Sequence, residues 1–159
     1  MRIPRTNMMM GICSLSREGK FEVKGDARVM YTTMMLIRQD IVTWFCPMGS
    51  LQALKLAIRY GAVRRQFHTV KGQAVERKVL DYQTFQSNLT PLLAQTIKHV
   101  FVGFYIKDNF KKMTESIDKG DYSMQPVMHH LLAGLKACVS EDMVITLDKA
   151  RRACGGAGY

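Results

Sequence analysis

The sequence predicts an all-α fold, an up-down bundle of three long helices, and three observations carry that prediction. Apolar residues recur at three- and four-residue steps from Val29 onward, the spacing of a half-buried helix. Twelve Met and 7 Phe favour an interior of long, adaptable side chains over a β-branched sheet core. Between the periodic stretches lie connections of roughly 5–15 residues, short enough for antiparallel neighbours. At 159 residues the chain can bury a core without disulfides or metals. Its 47% hydrophobic and 23% charged content excludes a disordered tail or a collagen-like fibre. No stretch reaches the ~20 apolar residues of a membrane span.

Residues 1–28 are turn-rich, punctuated by Gly11, Gly19 and Gly25, and SREGKFEVKGD reads as an exposed loop or a short hairpin. The first helix starts near Val29. Its stripe runs through Met30, Met34, Ile37, Ile41, Trp44, Phe45, Met48, Leu51, Leu54 and Ile58, with a kink or break expected at Pro47 and Gly49. A polar connection from Arg64 to Lys78 leads to a second helix over about Leu80–Ser116. Phe85, Leu89, Leu92, Ile97, Phe101, Phe104 and Tyr105 are among its apolar positions, and Pro91 should interrupt it. Ser123 is the expected N-cap of the third helix, with Pro126 in its first turn. Met128, Leu131, Leu132, Leu135, Cys138, Val139, Met143 and Leu147 form that stripe, and Gly155 and Gly156 stop it.

The formal charge of +10 is lopsided. Residues 1–79 hold 14 Lys and Arg against 5 acids, whereas residues 80–159 hold 9 against 8. From Lys55 to Lys78 seven cations face only Glu76. Such a run attracts phosphate on nucleic acid, on anionic lipid or on a phosphorylated cofactor. Cys13, Cys46, Cys138 and Cys154 have neither zinc-site nor disulfide-framework spacing, which suits a reducing intracellular compartment. The N-terminus lacks a signal-peptide core, and both ends read as cuts through a longer protein.

Two constellations could carry chemistry. Arg64-Arg65-Gln66-Phe67-His68-Thr69 joins two guanidiniums, an amide, an aromatic ring and a hydroxyl. It reads either as a pyrophosphate-holding set or as a solvated basic helix end. Ala153-Cys154-Gly155-Gly156-Ala157-Gly158-Tyr159 reads either as open amides for a close ligand or as a plain helix stop. The adjacent His129 and His130 face different directions on a helix and cannot chelate one metal as an i, i+4 pair would; one should face the core and the other solvent. His99, in an apolar helix, reads as a hydrogen-bonded structural residue. No nucleophile or general base stands out.

In order along the chain, several segments resemble the C-terminal helical region of acyl-CoA oxidases, within the acyl-CoA dehydrogenase superfamily. They are RIPRTNM at Arg2–Met8, AIRYGAVRRQF at Ala57–Phe67, LDYQT at Leu80–Thr84 with PLLA at Pro91–Ala94, AGLKA at Ala133–Ala137, and CGGAGY at Cys154–Tyr159. LDYQT with PLLA points to oxidases over dehydrogenases.

The resemblance implies an FAD-dependent, peroxisomal enzyme of fatty-acid β-oxidation. Its reaction desaturates fatty acyl-CoA to trans-2-enoyl-CoA and reduces O2 to H2O2. Residues 1–28 would leave a preceding β-domain, and residues 29–159 would form part of a four-helix bundle truncated at its C-terminal end. By the same resemblance Arg64, Gln66, Phe67, Arg152, Gly155 and Gly156 hold FAD, and Arg38 lines the acyl-CoA site. A homodimer through the bundle is implied, each FAD being gripped in part by the neighbouring subunit. The family's catalytic glutamate is expected beyond Tyr159, so the resemblance assigns no catalytic residue within the chain. The alternatives are an acyl-CoA dehydrogenase bundle, which passes electrons to a carrier flavoprotein, and a non-catalytic basic helical module. For the latter, no recognition helix supports nucleic-acid binding. A three-helix bundle this rich in Met and Phe should also leave an apolar face uncovered.

Overall fold

The computed structural model describes residues 1–8, 10, 11, 13–23, 26, 28–68, 70–72 and 74–159. Gly25 and Thr69, which the sequence reading used, lie outside the described residues. The described residues begin with a short hairpin that pairs β1 (Cys13–Leu15) antiparallel with β2 (Phe21–Val23), with Ser14 opposite Glu22. Gly19 closes its turn at φ +89, a conformation open to glycine because it lacks a Cβ.

The first long rod comprises α1 (Arg28–Asp40), a π-helical turn (Ile41–Phe45) and α2 (Cys46–Val63). The expected break at Pro47 and Gly49 does not occur. The π turn ends just before Pro47, which places proline in the first turn of α2, where a missing N–H costs least. By length and composition this rod could cross a membrane; here one side of it is buried in the bundle. The second rod, α3 (Gln83–Ile117), is continuous through Pro91. Pro91 is exposed, so the carbonyl left without its helix partner faces water. The third, α4 (Gln125–Ala153), starts two residues after the expected cap, with Met124 at the N-cap and no side-chain bond there. Ser123 instead donates its own backbone N–H to Asp121 Oδ1 at 2.9 Å.

The rods meet in three apolar clusters along the bundle. One joins Met35 to Ile106, Met113, Met128 and Leu132; a small central one holds Val42, Cys46 and Val139. The third packs Leu54 and Ala57 against Phe85, Leu89 and Ala150. The buried side of the first rod is Met35, Gln39, Val42, Cys46, Ser50, Leu54, Ala57 and Gly61, which corrects the expected stripe. Trp44 and Phe45 are 67% and 63% exposed. Both sides of this helix carry apolar residues. Packing buries the side with smaller groups, because Ser50, Ala57 and Gly61 let neighbouring helices come close. On α3, Ile97, Phe101, Phe104 and Tyr105 are likewise exposed, while Thr96, His99, Gly103 and Ile106 are buried. On α4, Val139 is buried as expected, whereas Cys138 and Leu147 are exposed and Thr146 and Ala150 lie inside. The uncovered apolar face is therefore real among the described residues, and Phe101 and Phe104 stack edge to face upon it.

Buried polar groups are satisfied. No buried side-chain nitrogen or oxygen among the described residues lacks a partner. Gln125 Nε2 donates to Arg28 O at 2.7 Å and to Thr32 Oγ1 at 3.0 Å, tying the start of α4 to the start of α1. His99 Nε2 lies 3.2 Å from Asp142 Oδ2, across α3 and α4, in keeping with the structural role expected of it. Burial depresses the His99 pKa, with Lys98 adding to the depression and Asp142 opposing it. The folded protein thus holds this ring neutral where the unfolded chain protonates it. Stability is full above the ordinary histidine value of about 6.5 and falls as pH drops below it. The melting temperature should decline between about pH 7 and pH 5, and His99→Gln should flatten that decline. Equal slopes for the two proteins would refute the assignment.

Candidate functional site

The Arg64–Lys78 connection, read from sequence as a basic loop, is a tight ribbon. Arg64 N–H caps α2 by donating to Tyr60 O at 2.8 Å. The chain then pairs with itself. Gln66 N–H donates to Arg77 O, Arg77 N–H to Phe67 O, and Val79 N–H to Arg64 O, each at 2.9 Å. Arg65 and Lys78 form the bridge between the two arms. The Tyr82 hydroxyl donates to Gln66 O at 2.8 Å, and the Arg77 guanidinium donates to Asp81 O while lying 5.2 Å over the Tyr82 ring.

This pinning holds Phe67 at φ +62, a left-handed conformation that costs a bulky residue of order 1–3 kcal/mol. Its ring is 67% exposed. A strained backbone that presents an aromatic ring to solvent makes the ribbon a candidate site.

Beside the ribbon lies a cleft of about 630 Å³. Gln66 and Phe67 from the ribbon, Tyr82 and Asn88 from the start of α3 and just before it, and Lys149 and Arg152 from α4 line it. Gln66 belongs to the first sequence motif and Arg152 immediately precedes the second, 86 positions away, and the fold brings them to one cleft. Gly61 makes this geometry possible. A Cβ there would stand 2.6 Å from the Phe85 ring, and Phe85 lines the same cleft.

The remaining predicted residues are placed differently. Arg64 sits on the ribbon, exposed, outside the cleft lining. Gly155, at φ +57, turns the chain out of α4, and it and Gly156 are exposed and also outside that lining. The residues after them, Ala157 and Gly158, instead border a second cleft of about 720 Å³ between α2 and α4, with Leu56, Tyr60 and Arg151. Arg38 is remote. Its Nη1 lies 3.5 Å from His129 Nδ1, and 26 residues of helix separate it from Arg64, roughly 39 Å at 1.5 Å per residue. Both His129 and His130 are exposed, contrary to the expectation that one faces the core. His129 packs edge-on to Tyr31 on a turn of α4 whose inward position is taken by Met128. No cluster of potential metal ligands occurs among the described residues.

Sequence reasoning missed Tyr82, Asn88 and Lys149. Lys149 and Arg152 are three residues apart on one helix, and Thr84 and Asn88 four apart on another. Those spacings put each pair on one helix face, but they do not say that the faces meet.

Electrostatically, the last turn of α4 is organised by Asp148. It accepts from Arg151 Nη2 at 3.0 Å and from Arg152 Nε at 2.8 Å. The Arg151 hydrogen bond foremost, and Arg152 with it, hold this carboxyl below the usual range against a smaller effect of burial. None of the seven cations from Lys55 to Lys78 forms an ion pair among the described residues. The ribbon cations Arg65, Arg77 and Lys78 border a separate groove with Glu76 and Asp81, so the ribbon adds positive charge beside the cleft rather than in its lining.

A family profile described as the acyl-CoA oxidase C-alpha1 domain matches residues 31–159. Peroxisomal acyl-coenzyme A oxidase 1 of Mus musculus is 39% identical over 158 residues, which cover 99% of this chain and 24% of that protein. Among solved structures, acyl-CoA oxidase 1 of Arabidopsis thaliana superposes with a TM-score of 0.81 at 36% identity, covering 100% of this chain and 24% of that one. Acyl-CoA oxidase-2 of Caenorhabditis elegans, solved with FAD, ascaroside-CoA and ATP, gives a TM-score of 0.80 at 36% identity with the same coverage. The chain thus spans about a quarter of the length of the curated relatives it matches. With a helical fold shared along its whole length and a domain profile covering most of it, the chain belongs to the acyl-CoA oxidase family.

Proposed function

We infer that this chain is the helical-bundle part of an FAD-dependent acyl-CoA oxidase. The enzyme would convert fatty acyl-CoA to trans-2-enoyl-CoA, reduce O2 to H2O2, and work in the peroxisome, as the name of the mouse relative indicates for that protein. The observation that carries this reading is the meeting of Gln66, Phe67 and Arg152 in one cleft.

The residues fit the nucleotide-diphosphate portion of FAD. Phe67 and Tyr82 offer flat aromatic surface, Gln66 and Asn88 offer amides, and Lys149 and Arg152 offer cations. The volume falls in the range of ordinary ligand pockets, ~300–1,000 Å³. When bound, FAD would supply the redox chemistry, as acceptor of the hydride and source of the electrons that reduce O2. The work left to these residues is to bind and orient. The ribbon hydrogen bonds hold Gln66 and Phe67 in register, and Arg64 extends the positive surface along the same ribbon toward phosphate. Gly155 and Gly156 leave backbone amides open after α4. Arg38, one bundle length away, would serve the acyl-CoA. A second copy packed on the bundle would cover Phe101 and Phe104 and complete a homodimer.

The test uses the native-length protein from its source cells. Acyl-CoA should be consumed with stoichiometric H2O2 and enoyl-CoA, and Arg64→Ala should raise the Kd for FAD about tenfold, the loss of one charge-assisted contact. Acyl-CoA oxidation that needs a carrier flavoprotein and leaves O2 untouched would reassign the chain to the dehydrogenase reading. Absence of any acyl-CoA turnover would refute both.

A further inference from the structure

Resting on the reading of Arg38 as an acyl-CoA contact, we propose that His129 is the positioning residue that aims the Arg38 guanidinium, and that it does so as a neutral hydrogen-bond acceptor. Arg38 is half-buried on α1, next to the buried Gln39 and one turn on from the buried Met35. Among the described residues no carboxylate pairs with it. The polar contact of its guanidinium runs from Nη1 to His129 Nδ1 at 3.5 Å, between helices whose residues are 91 positions apart. Arginine carries donors only, so the imidazole nitrogen must be the acceptor. That fixes His129 as the tautomer with its proton on Nε2. A carboxylate in this place would neutralise the guanidinium and compete with an anionic or carbonyl ligand. A neutral nitrogen orients the guanidinium and leaves its charge in full.

Two further contacts hold the imidazole in place. Its ring stands edge-on to Tyr31 of α1, with centroids 6.4 Å apart and planes at 87°, which restricts its rotation. One helical turn earlier on α4, Gln125 is clamped to Arg28 O and Thr32 Oγ1, and this sets the register of α4 against α1. His129 consequently shares a recess of about 150 Å³ with Tyr31, Met35, Gln125 and Pro126. His130 is next in sequence, points in another direction, and makes none of these contacts among the described residues.

The test uses the native-length protein and its variants, with calorimetric titration of a fatty acyl-CoA that carries sulfur in place of the β-carbon and so has no hydride to give. His129→Phe keeps a ring against Tyr31 and removes the acceptor. It should raise the Kd of this probe, and the KM of the substrate, about fivefold to tenfold, as losing a hydrogen bond to a charged group does. The change should fall on KM rather than kcat. Bound FAD should be retained, because Arg64 lies 26 residues of helix from Arg38, roughly 39 Å. His129→Asn, whose Oδ1 takes the place of Nδ1, should restore affinity to within about threefold. With Arg38→Ala already in place, His129→Phe should have no further effect. His130→Phe, the control for an added ring on α4, should bind like the wild type. Circular dichroism and melting temperature check folding, and His129→Leu replaces the Phe variant if the larger ring disturbs α4. Wild-type affinity in His129→Phe, failure of Asn to rescue, or independent effects of the Arg38 and His129 substitutions would each overturn the positioning role while the oxidase reading stands. If the wild type neither binds the probe nor oxidises acyl-CoA, the oxidase reading fails and the role of His129 fails with it.

Discussion

Leu132→Ala should lower the stability of the fold by about 2–5 kcal/mol, the cost of deleting a buried leucine and leaving a cavity. Leu132 is 0% exposed and sits where all three rods meet, against Met35, Ile106, Met113 and Met128. The three methionines could flex into part of the space, which would place the loss in the lower half of that range. At ~2–4 °C per kcal/mol for a domain of this size, the melting temperature should drop by roughly 4–20 °C. Val127→Ala, on the same helix but 61% exposed, should stay within about 0.5 kcal/mol. Equal losses at the two positions would mean that α4 does not present Leu132 to the core.

Gly103→Val should cost about 1–3 kcal/mol for a different reason. A Cβ at Gly103 would stand 3.2 Å from both Cα and O of Thr43. Those are backbone atoms of the π turn, so no side chain can swing away, and α3 must move off the first rod. Gly134 supplies the opposite case. It lies exposed within α4 with nothing within 4 Å of its would-be Cβ, so Gly134→Ala should gain about 1 kcal/mol from helix propensity. Urea unfolding of the two variants reads both signs in one experiment. A neutral Gly103→Val would show that the π turn and α3 are not in contact.

The close approach at Gly103 also explains why the π turn was invisible in sequence. A run of Ile41–Phe45 has ordinary helical periodicity, and Pro47 advertised a break. What favours one wider turn is packing: it sets the Thr43 backbone against a glycine more than 50 positions away. The exposed aromatics have the same origin. Trp44, Phe101 and Phe104 satisfy the helical period as well as Val42, Gly103 and Ile106 do, and periodicity cannot rank two apolar faces of one helix. The ribbon was missed because its pairing residues, Arg64–Phe67 and Arg77–Val79, are polar, short and without alternation, so no strand signal precedes the hydrogen bonds.

The helix types, their approximate ends and the two motifs belong to the sequence, because hydrophobic period, glycine stops and basic runs act locally. The family, too, was legible, since five motifs keep their order along one chain. The choice of inward faces, the left-handed Phe67 and the cleft were decided only in three dimensions. Each depends on contacts between residues tens of positions apart, where backbone proximity and side-chain volume outweigh local preference. Lys149 illustrates the point: an ordinary lysine on an exposed helix face, it lines the cleft because α4 and the ribbon are brought together there.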